Sequence, residues 1–167
     1  MTANAYPRQT IVLAINGETN VLTVEPRESL AEVLRDRLGL LGTKVSCDQQ
    51  VCGACTVLVD GLPVSSCCHL AVDAEDRTVT TIEGIGAVGL HPVQTAFLEL
   101  SAFQCGYCTP GFIVSAVALV DSGVELTRDS VAEWLAGNLC RCTGYAAIAE
   151  AVLRAAPGGS LERHDDE

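Results

Sequence analysis

Apolar and polar residues alternate in short runs along the N-terminal half of the chain, and this period of two predicts β-strands. Thr10 to Ile15 and Thr19 to Val24 flank Asn16-Gly17, a dipeptide that favours a tight hairpin because both residues tolerate positive φ. A second hairpin about Asp60-Gly61 and a final strand are predicted from the segments Thr56 to Asp60, Leu62 to Cys67 and Arg77 to Ile82.

A single helix is predicted between the two hairpins. Ser29 is a favourable N-cap, and Glu32 three residues later completes a capping box. The apolar residues that follow share one face of the helix: Leu30, Val33, Leu34 and Leu38. Strands packed around one helix indicate a small α+β unit, which we place at residues 9–83.

The period changes to that of helices after a glycine-rich segment, 83–89, which we interpret as a linker. Pro92 suits a first helical turn, and apolar residues recur behind it at Val93, Phe97 and Leu100. Thr109-Pro110 is a second N-cap and N1 pair, and the continuous apolar run behind it predicts a buried helix. Two further helices are indicated by Val131, Trp134, Leu135 and Leu139, and by Ile148, Val152 and Leu153. Short loops between these helices predict a four-helix bundle over 90–156, and the polar segment 157–167 is expected to be a disordered acidic tail.

The charge balance excludes several classes of function. Acidic residues outnumber basic ones by 21 to 10 in a chain of 167 residues, a net charge of −11, which argues against binding to nucleic acid or to an anionic membrane surface. The longest apolar run, Phe112 to Val120, is about half of the ~20 residues needed to span a bilayer. The N-terminus lacks the features of a secretory signal. We therefore expect a cytoplasmic protein without a membrane span, in which cysteines serve as metal ligands rather than forming disulfides.

Nine cysteines carry the chemistry of the sequence, and eight of them form two groups. The first group has the spacing C-x4-C-x2-C, with a fourth cysteine after eleven intervening residues, and consists of Cys47, Cys52, Cys55 and Cys67. Plant-type ferredoxins hold a 2Fe–2S cluster in this way. Gly53 and Ala54 allow the backbone to approach the sulfurs closely. A structural zinc site with four thiolates is the main alternative, although its ligands usually come as separate C-x2-4-C pairs.

The second group is more ambiguous from its spacing alone. Its C-x2-C and C-x-C pairs, Cys105 with Cys108 and Cys140 with Cys142, are compatible with zinc or with a second cluster, and the first pair also with a redox dithiol. Each pair lies at a predicted helix end, so two ends of the bundle can converge on one metal centre.

The ninth cysteine, Cys68, is interpreted as a thiol that is not a ligand. The gap after Cys55 selects Cys67, and strand alternation is expected to turn Cys68 to the opposite face. His69 and His91 suggest a Rieske site, in which two histidines replace two cysteines. Eight cysteines already fill the ligand positions, however, and we expect His91 to cap the helix that begins at Pro92.

Four motifs occur in order between Gln9 and Ala156, and they read CDQQVCGACTVLVDG, HPVQTAFLE, FQCGYCTPGF and LCRCTGY. They resemble the small iron–sulfur subunit of the molybdenum hydroxylases, the family of xanthine oxidase and aerobic carbon monoxide dehydrogenase. The resemblance implies an N-terminal ferredoxin-like β-grasp domain and a C-terminal four-helix bundle, each with one 2Fe–2S cluster. The chain departs from the common GCGEGGCGAC-like pattern of the family at Ser46 and at 48–51, which leaves the ligand spacing intact.

The resemblance also implies partners and a role. In that family a large subunit binds molybdopterin cytosine dinucleotide with molybdenum, and a medium subunit binds FAD, in a dimer of heterotrimers. Electrons run from molybdenum to the helical-domain cluster, then to the ferredoxin-domain cluster and to FAD. By position, Gln104 matches a glutamine that hydrogen-bonds the pterin, and Cys142 matches the ligand nearest the pterin. Substrate contacts lie in the large subunit, so CO, a purine, an aldehyde and an N-heterocycle are all compatible with this chain.

Two other functions are weighed against an electron-transfer subunit. A free-standing two-cluster ferredoxin would shuttle between separate partners, but such a protein needs little exposed apolar surface, whereas the helical half here is strongly apolar. A zinc-stabilised interaction module would be colourless, because Zn²⁺ is d10.

Overall fold

The N-terminal half of the protein forms a five-stranded sheet in the order β2-β1-β5-β3-β4. The computed structural model describes residues 7–156, so the tail predicted at 157–167 lies outside the described residues. The strands are β1 (Gln9–Ile15), β2 (Glu18–Val24), β3 (Thr56–Val59), β4 (Leu62–Ser65) and β5 (Thr78–Thr80).

Both predicted hairpins are confirmed. β1 pairs antiparallel with β2, and β3 pairs antiparallel with β4. Asn16-Gly17 and Asp60-Gly61 make the two turns, and all four residues have positive φ, as two-residue turns of this kind require. β5 joins the hairpins into one sheet, because it lies parallel to β1 and antiparallel to β3.

One helix packs against this sheet. It begins as α1 (Leu30–Glu32) and continues as a π-helical segment, Val33–Arg37. The predicted capping box is confirmed, since Glu32 N–H donates to Ser29 Oγ at 3.2 Å and Ser29 N–H donates to Glu32 Oε2 at 2.7 Å. Helix and sheet share a buried apolar core that includes Ile11, Leu13, Ile15, Val24, Leu30, Val33, Leu34, Val57 and Val79. The α+β class is confirmed.

Three boundaries in this half differ from those predicted, and one of them is β5, which spans Thr78–Thr80 where the pattern predicted Arg77 to Ile82. β4 ends at Ser65, and Cys67 lies in the turn that follows it. The fully buried Ser66 donates its hydroxyl to the Cys55 carbonyl at 2.7 Å, which draws the chain toward the cysteine loop and away from the strand direction. The linker predicted at 83–89 is wrong in its first residues, because Ile82–Ile85 form the short helix α2.

The C-terminal half is helical, and a 3-10 turn (Leu135–Gly137) extends its third helix. His91 caps the first helix as predicted, since Val93 N–H donates to His91 Nδ1 at 3.2 Å. Thr109 was expected to cap the next helix but is its first residue, and Cys108 occupies the N-cap position. The helices are α3 (Pro92–Glu99), α4 (Thr109–Asp121), α5 (Arg128–Trp134) and α6 (Ala146–Arg154).

The two halves pack together through α4 and β3. α4 is the buried helix that its composition predicts, since every residue from 111 to 119 is buried. On one side its residue Leu119 lies in the core of the helical half, together with Phe97 of α3 and Ile148 of α6. On the other side Val114 and Ala118 pack against Leu58 of β3. Within residues 7–156, no helix is long and apolar enough to cross a membrane.

Candidate metal centres

The first cysteine group lies on the loop that precedes β3 and on the turn that follows β4. Its thiols form two interacting pairs, Cys47 with Cys52 and Cys55 with Cys67. The first pair is partly exposed, whereas Cys55 and Cys67 are only 2% and 9% exposed. The group therefore has a solvent-facing pair and an inward-facing pair.

The backbone of this loop turns sharply around Cys52. Asp48, Gln50 and Gly53 all have positive φ, at 55°, 58° and 66°. A left-handed backbone costs a residue with a Cβ about 1–2 kcal/mol. Asp48 and Gln50 occupy positions at which the common family pattern has glycine, so this chain keeps the loop conformation with less suitable residues.

Backbone N–H groups of the loop point at the sulfur of Cys47. Val51 and Cys52 each donate an N–H to Cys47 Sγ at 3.4 Å. Hydrogen bonds from Val51, Gln49 and Cys52 lower the pKa of the Cys47 thiol to about 7. Burial, with the neighbouring Cys67, raises the pKa of Cys55 to about 12. Cys47 is thus more readily deprotonated than Cys55.

The second cysteine group lies where helix ends meet. Cys105 and Cys108 immediately precede α4, and Cys140 and Cys142 lie between the 3-10 turn and α6. Cys105 and Cys142 are exposed, with their sulfur atoms 3.7 Å apart. Cys108 and Cys140 form a second interacting pair further inside, where Cys140 is 9% exposed.

Thr143 stabilises a thiolate in this second group. Its hydroxyl and its N–H donate to Cys140 Sγ at 3.1 and 3.4 Å. Burial alone would raise the pKa of Cys140, but the bonds from Thr143 outweigh it and lower the pKa to about 7. Burial and the neighbouring Cys140 raise the pKa of Cys108 to about 12. Each group therefore contains one hydrogen-bonded thiol with a lowered pKa and one partly buried thiol with a raised pKa.

The donor sets suit a 2Fe–2S cluster better than a single metal ion. In each group the four thiols make two pairs, and a 2Fe–2S cluster takes two thiolates on each iron. A zinc ion would need three or four ligands converging on one point. Bound iron deprotonates a coordinating thiol outright, so the high pKa of the inner thiols is no obstacle.

Cys68 is not where strand alternation was expected to place it. Cys67 and Cys68 both lie in the turn after β4, in which Cys68 N–H donates to Ser65 O at 3.1 Å. Their sulfur atoms are 3.7 Å apart. The expectation that the two side chains face opposite ways is therefore wrong, because a turn does not alternate its side chains as a strand does.

Direct hydrogen bonds join the two cysteine groups. Leu139, the residue before Cys140, donates its N–H to the carbonyl of Cys52 at 2.9 Å. The buried side chain of Asn138 donates to Gly53 O at 3.0 Å. Sequence reasoning missed Asn138, and the one available signal was a polar residue beside a ligand motif in an apolar segment.

Tyrosine hydroxyls also hold the loops that carry cysteines. Tyr107, between Cys105 and Cys108, donates its hydroxyl to Val45 O at 2.6 Å, which ties the helical site to the loop before Cys47. The hydroxyl of Tyr145 accepts the N–H of Cys140 at 2.9 Å. Gln104 is exposed, beside the exposed Cys105.

Known proteins match the chain over nearly its whole length. The 2Fe–2S iron–sulfur cluster binding domain family matches residues 13–80, and a second 2Fe–2S binding domain family matches residues 81–153. The nicotine 6-hydroxylase small subunit of Paenarthrobacter nicotinovorans is 45% identical over 157 residues, which cover 94% of each chain. The nicotinate dehydrogenase small FeS subunit of Eubacterium barkeri is 45% identical, with 86% of this chain and 92% of that protein covered.

The fold matches a solved structure as well. The structure of quinoline 2-oxidoreductase from Pseudomonas putida 86 includes a chain with a TM-score of 0.83 and 44% identity, covering 87% of this chain and 90% of that one. Fold and cysteine geometry together define a protein with two 2Fe–2S binding domains. The chain belongs to the small iron–sulfur subunits of the molybdenum hydroxylase family.

Proposed function

We propose that the chain is the electron-transfer subunit of a molybdenum-containing hydroxylase or dehydrogenase. It takes electrons from the molybdopterin centre of a large subunit and delivers them to the FAD of a medium subunit. The observation that carries this proposal is the pair of four-thiol groups joined by the hydrogen bond between Leu139 N–H and Cys52 O. The chain itself performs no chemistry on substrate.

The eight paired cysteines are the proposed ligands. In the N-terminal site, Cys47 and Cys52 hold one iron, and Cys55 and Cys67 hold the other. When bound, each 2Fe–2S cluster accepts and releases a single electron. In the helical site the two pairs are Cys105 with Cys142 and Cys108 with Cys140, which is supported by their side-chain interactions.

The surrounding residues tune these sites. N–H groups at 3.4 Å from Cys47 and Cys140 stabilise negative charge on sulfur, which favours the reduced state of a bound cluster. The main chain offers a short connection between the sites, from Cys52 through its carbonyl to the N–H of Leu139 and on to Cys140. Burial of Cys55 and Cys140 keeps water from the inner side of each site.

The helical site is the proposed entry point for electrons. Gln104, Cys105 and Cys142 are all exposed, so a cofactor of the large subunit can reach them. An amide both donates and accepts hydrogen bonds, which suits the edge of a pterin. We assign Gln104 to contact with the pterin and Cys142 to the ligand position nearest it.

The apolar surface beside this site favours a bound subunit over a free-standing ferredoxin. Leu90, Leu98 and Phe103 are exposed and line a groove of about 360 Å³ next to Gly106 and Pro110. A shuttle that meets its partners only briefly gains nothing from such a surface, whereas a permanent interface would bury it.

The remaining architecture is proposed to follow the family. Residues 9–83 form the ferredoxin-like β-grasp domain and 90–156 the helical domain, with α3 to α6 as its four-helix bundle. Contacts of α3 with α4 and α6, and of α5 with α4 and α6, support this arrangement. The complex is proposed to be a cytoplasmic dimer of heterotrimers; the assembly is the one that the resemblance to the family implies.

Metal analysis and co-purification test the proposal. The full chain should contain about four irons and four acid-labile sulfides, because eight thiolates serve two clusters. After reduction it should show two distinct EPR signals. Expressed with the neighbouring large and medium subunits, it should co-purify with both. A content of about two irons would refute the second cluster, and a colourless zinc protein would refute the function.

Gln104→Leu tests the contact with the pterin. The substitution leaves polar groups of the pterin unpaired, at a cost of about 1–3 kcal/mol. Reduction of the clusters by substrate should slow, or molybdenum should be lost, while both clusters remain. Gln9→Leu, at the start of β1, is the matched control and should behave as wild type. Wild-type reduction rates with full molybdenum content in Gln104→Leu would show that this side chain faces elsewhere.

A further inference from the structure

A ninth thiol, Cys68, lies beside one of the proposed ligands of the N-terminal site. Cys68 Sγ is 3.7 Å from Cys67 Sγ. Two adjacent residues bring their sulfurs this close because both belong to the turn after β4.

The distance is short enough for side-chain rotation to exchange the two sulfurs. A change of χ1 from one staggered rotamer to another moves a cysteine sulfur by about 3 Å. Cys68 is exposed, so its side chain has room to rotate, whereas Cys67 is 9% exposed and held between buried neighbours. The exchange would need no register shift of β4, because both cysteines lie beyond its last residue, Ser65.

We propose that Cys68 is a reserve fourth ligand of the N-terminal 2Fe–2S site, which would take the place of Cys67 when the Cys67 sulfur is released from the iron or is missing. This inference rests on the proposed ligand set for that site. A released Cys67 sulfur would take up the proton that Cys68 gives up on binding, so the charge and the oxidation state of the site would not change. Where Cys67 is missing, Cys68 would give up its thiol proton to solvent as the cluster is assembled.

The inner partner of Cys67 provides a matched control. Cys55 interacts with Cys67 in the same pair and is buried to a similar degree. It is followed by Thr56, so no adjacent thiol can replace it. Loss of Cys55 should therefore be far more damaging than loss of Cys67, although both are proposed ligands of the same iron.

The test compares iron content and EPR spectra of the full chain in four variants. Cys67→Ala should retain about four irons, with shifted g values for the N-terminal signal, because the new ligand approaches from another direction. Cys68→Ala should keep both native signals. Cys55→Ala and the double variant Cys67→Ala/Cys68→Ala should each retain about two irons and only the helical-domain signal, which also reports that the chain is folded.

Each contrary result has a distinct meaning. If Cys67→Ala falls to about two irons, or loses both signals, Cys68 does not serve as a ligand and the inference is wrong. If the double variant keeps about four irons, the fourth ligand lies elsewhere and the proposed ligand set itself fails. If the wild-type chain binds no iron, the proposed function fails before the role of Cys68 is reached.

Discussion

Replacing Gly111 with alanine should push α4 away from the N-terminal cysteine loop. Gly111 is buried in the first turn of α4. A Cβ at this position would overlap the carbonyl oxygen of Gly53 and lie 3.2 Å from Ala54 Cα. These are main-chain atoms, which cannot swing aside as the end of a side chain can. Helix and loop must therefore separate if the methyl group is to fit.

Two opposing effects set the magnitude. Overpacking at a rigid contact costs about 1–3 kcal/mol. Alanine is favoured over glycine inside a helix by up to about 1 kcal/mol, and by less in the first turn, where few helical hydrogen bonds are made. The clash therefore dominates, and we expect Gly111→Ala to be destabilised by about 1–2 kcal/mol, or roughly 2–8 °C in Tm for a chain of this size.

Gly137→Ala is the matched control. Gly137 lies in the 3-10 turn after α5, close to the same loop, but a Cβ there meets no atom within 4 Å. Its stability should equal or slightly exceed that of wild type, because alanine restricts the unfolded chain.

Urea unfolding and EPR of the reduced protein measure both consequences. Because Gly53 and Ala54 lead directly to Cys55, the N-terminal signal should change in Gly111→Ala and the helical-domain signal should change less. An unaltered N-terminal signal in a variant at least as stable as wild type would mean that α4 does not touch the loop. A destabilised Gly137→Ala would show that the loss is not specific to the contact.

Further predictions concern the N-terminal cysteine loop, the independence of the two metal sites and the loss of stability in acid. Gln50→Gly replaces a residue that holds a left-handed backbone conformation despite its Cβ. In urea unfolding this variant should be about 1 kcal/mol more stable than Gln49→Gly, whose position has no positive φ. Equal stabilities of the two variants would contradict backbone strain at Gln50. Cys52→Ser should abolish the N-terminal EPR signal and leave the helical-domain signal, and loss of both from a folded chain would show that the sites are not separable. Partial burial raises the pKa of Glu28, but hydrogen bonds from Arg37 and a backbone N–H outweigh this and lower it. The stability that Glu28 contributes is therefore complete above its ordinary pKa of 4.5 and is lost as the pH falls through the lower folded value. The wild-type protein should be more stable to unfolding than Glu28→Gln at neutral pH, and this difference in stability should vanish in acid. A difference that persists in acid would contradict a lowered pKa of Glu28.

Local signals in the sequence predicted the elements that local chemistry determines. Asn16-Gly17 makes a hairpin turn because both residues adopt positive φ whatever surrounds them. The predicted capping box at Ser29 and the predicted cap at His91 depend only on residues within three positions. The continuous apolar run behind Thr109 could be placed inside the protein because no face of it is polar.

The end of β4 could not be predicted, because a distant contact decides it. Alternation of side chains extends the strand to Cys67, and nothing in the segment itself forbids this. The chain leaves the strand at Ser66, whose hydroxyl bonds to the carbonyl of Cys55, eleven positions earlier. That contact exists only once the cysteine loop has folded. The close approach of Cys67 and Cys68 is a consequence of it, and so was invisible in the pattern.

The cysteine spacing predicted the two groups of proposed ligands, but the sequence held no sign that main-chain contacts join the two groups. Gly53 has a φ of 66°, and a Cβ on it would lie 2.5 Å from Gly137 O and from Asn138 Nδ2. The loop of the N-terminal site can therefore adopt its shape only with a glycine at this point, where the helical half leaves no space for a side chain. Asn138 in turn has its amide bonded to Gly53 O. Since the same few residues close both loops, the separation of the two sites is determined by main-chain contacts, and substitutions at the contact should alter the coupling of the clusters before they alter the ligation of either one.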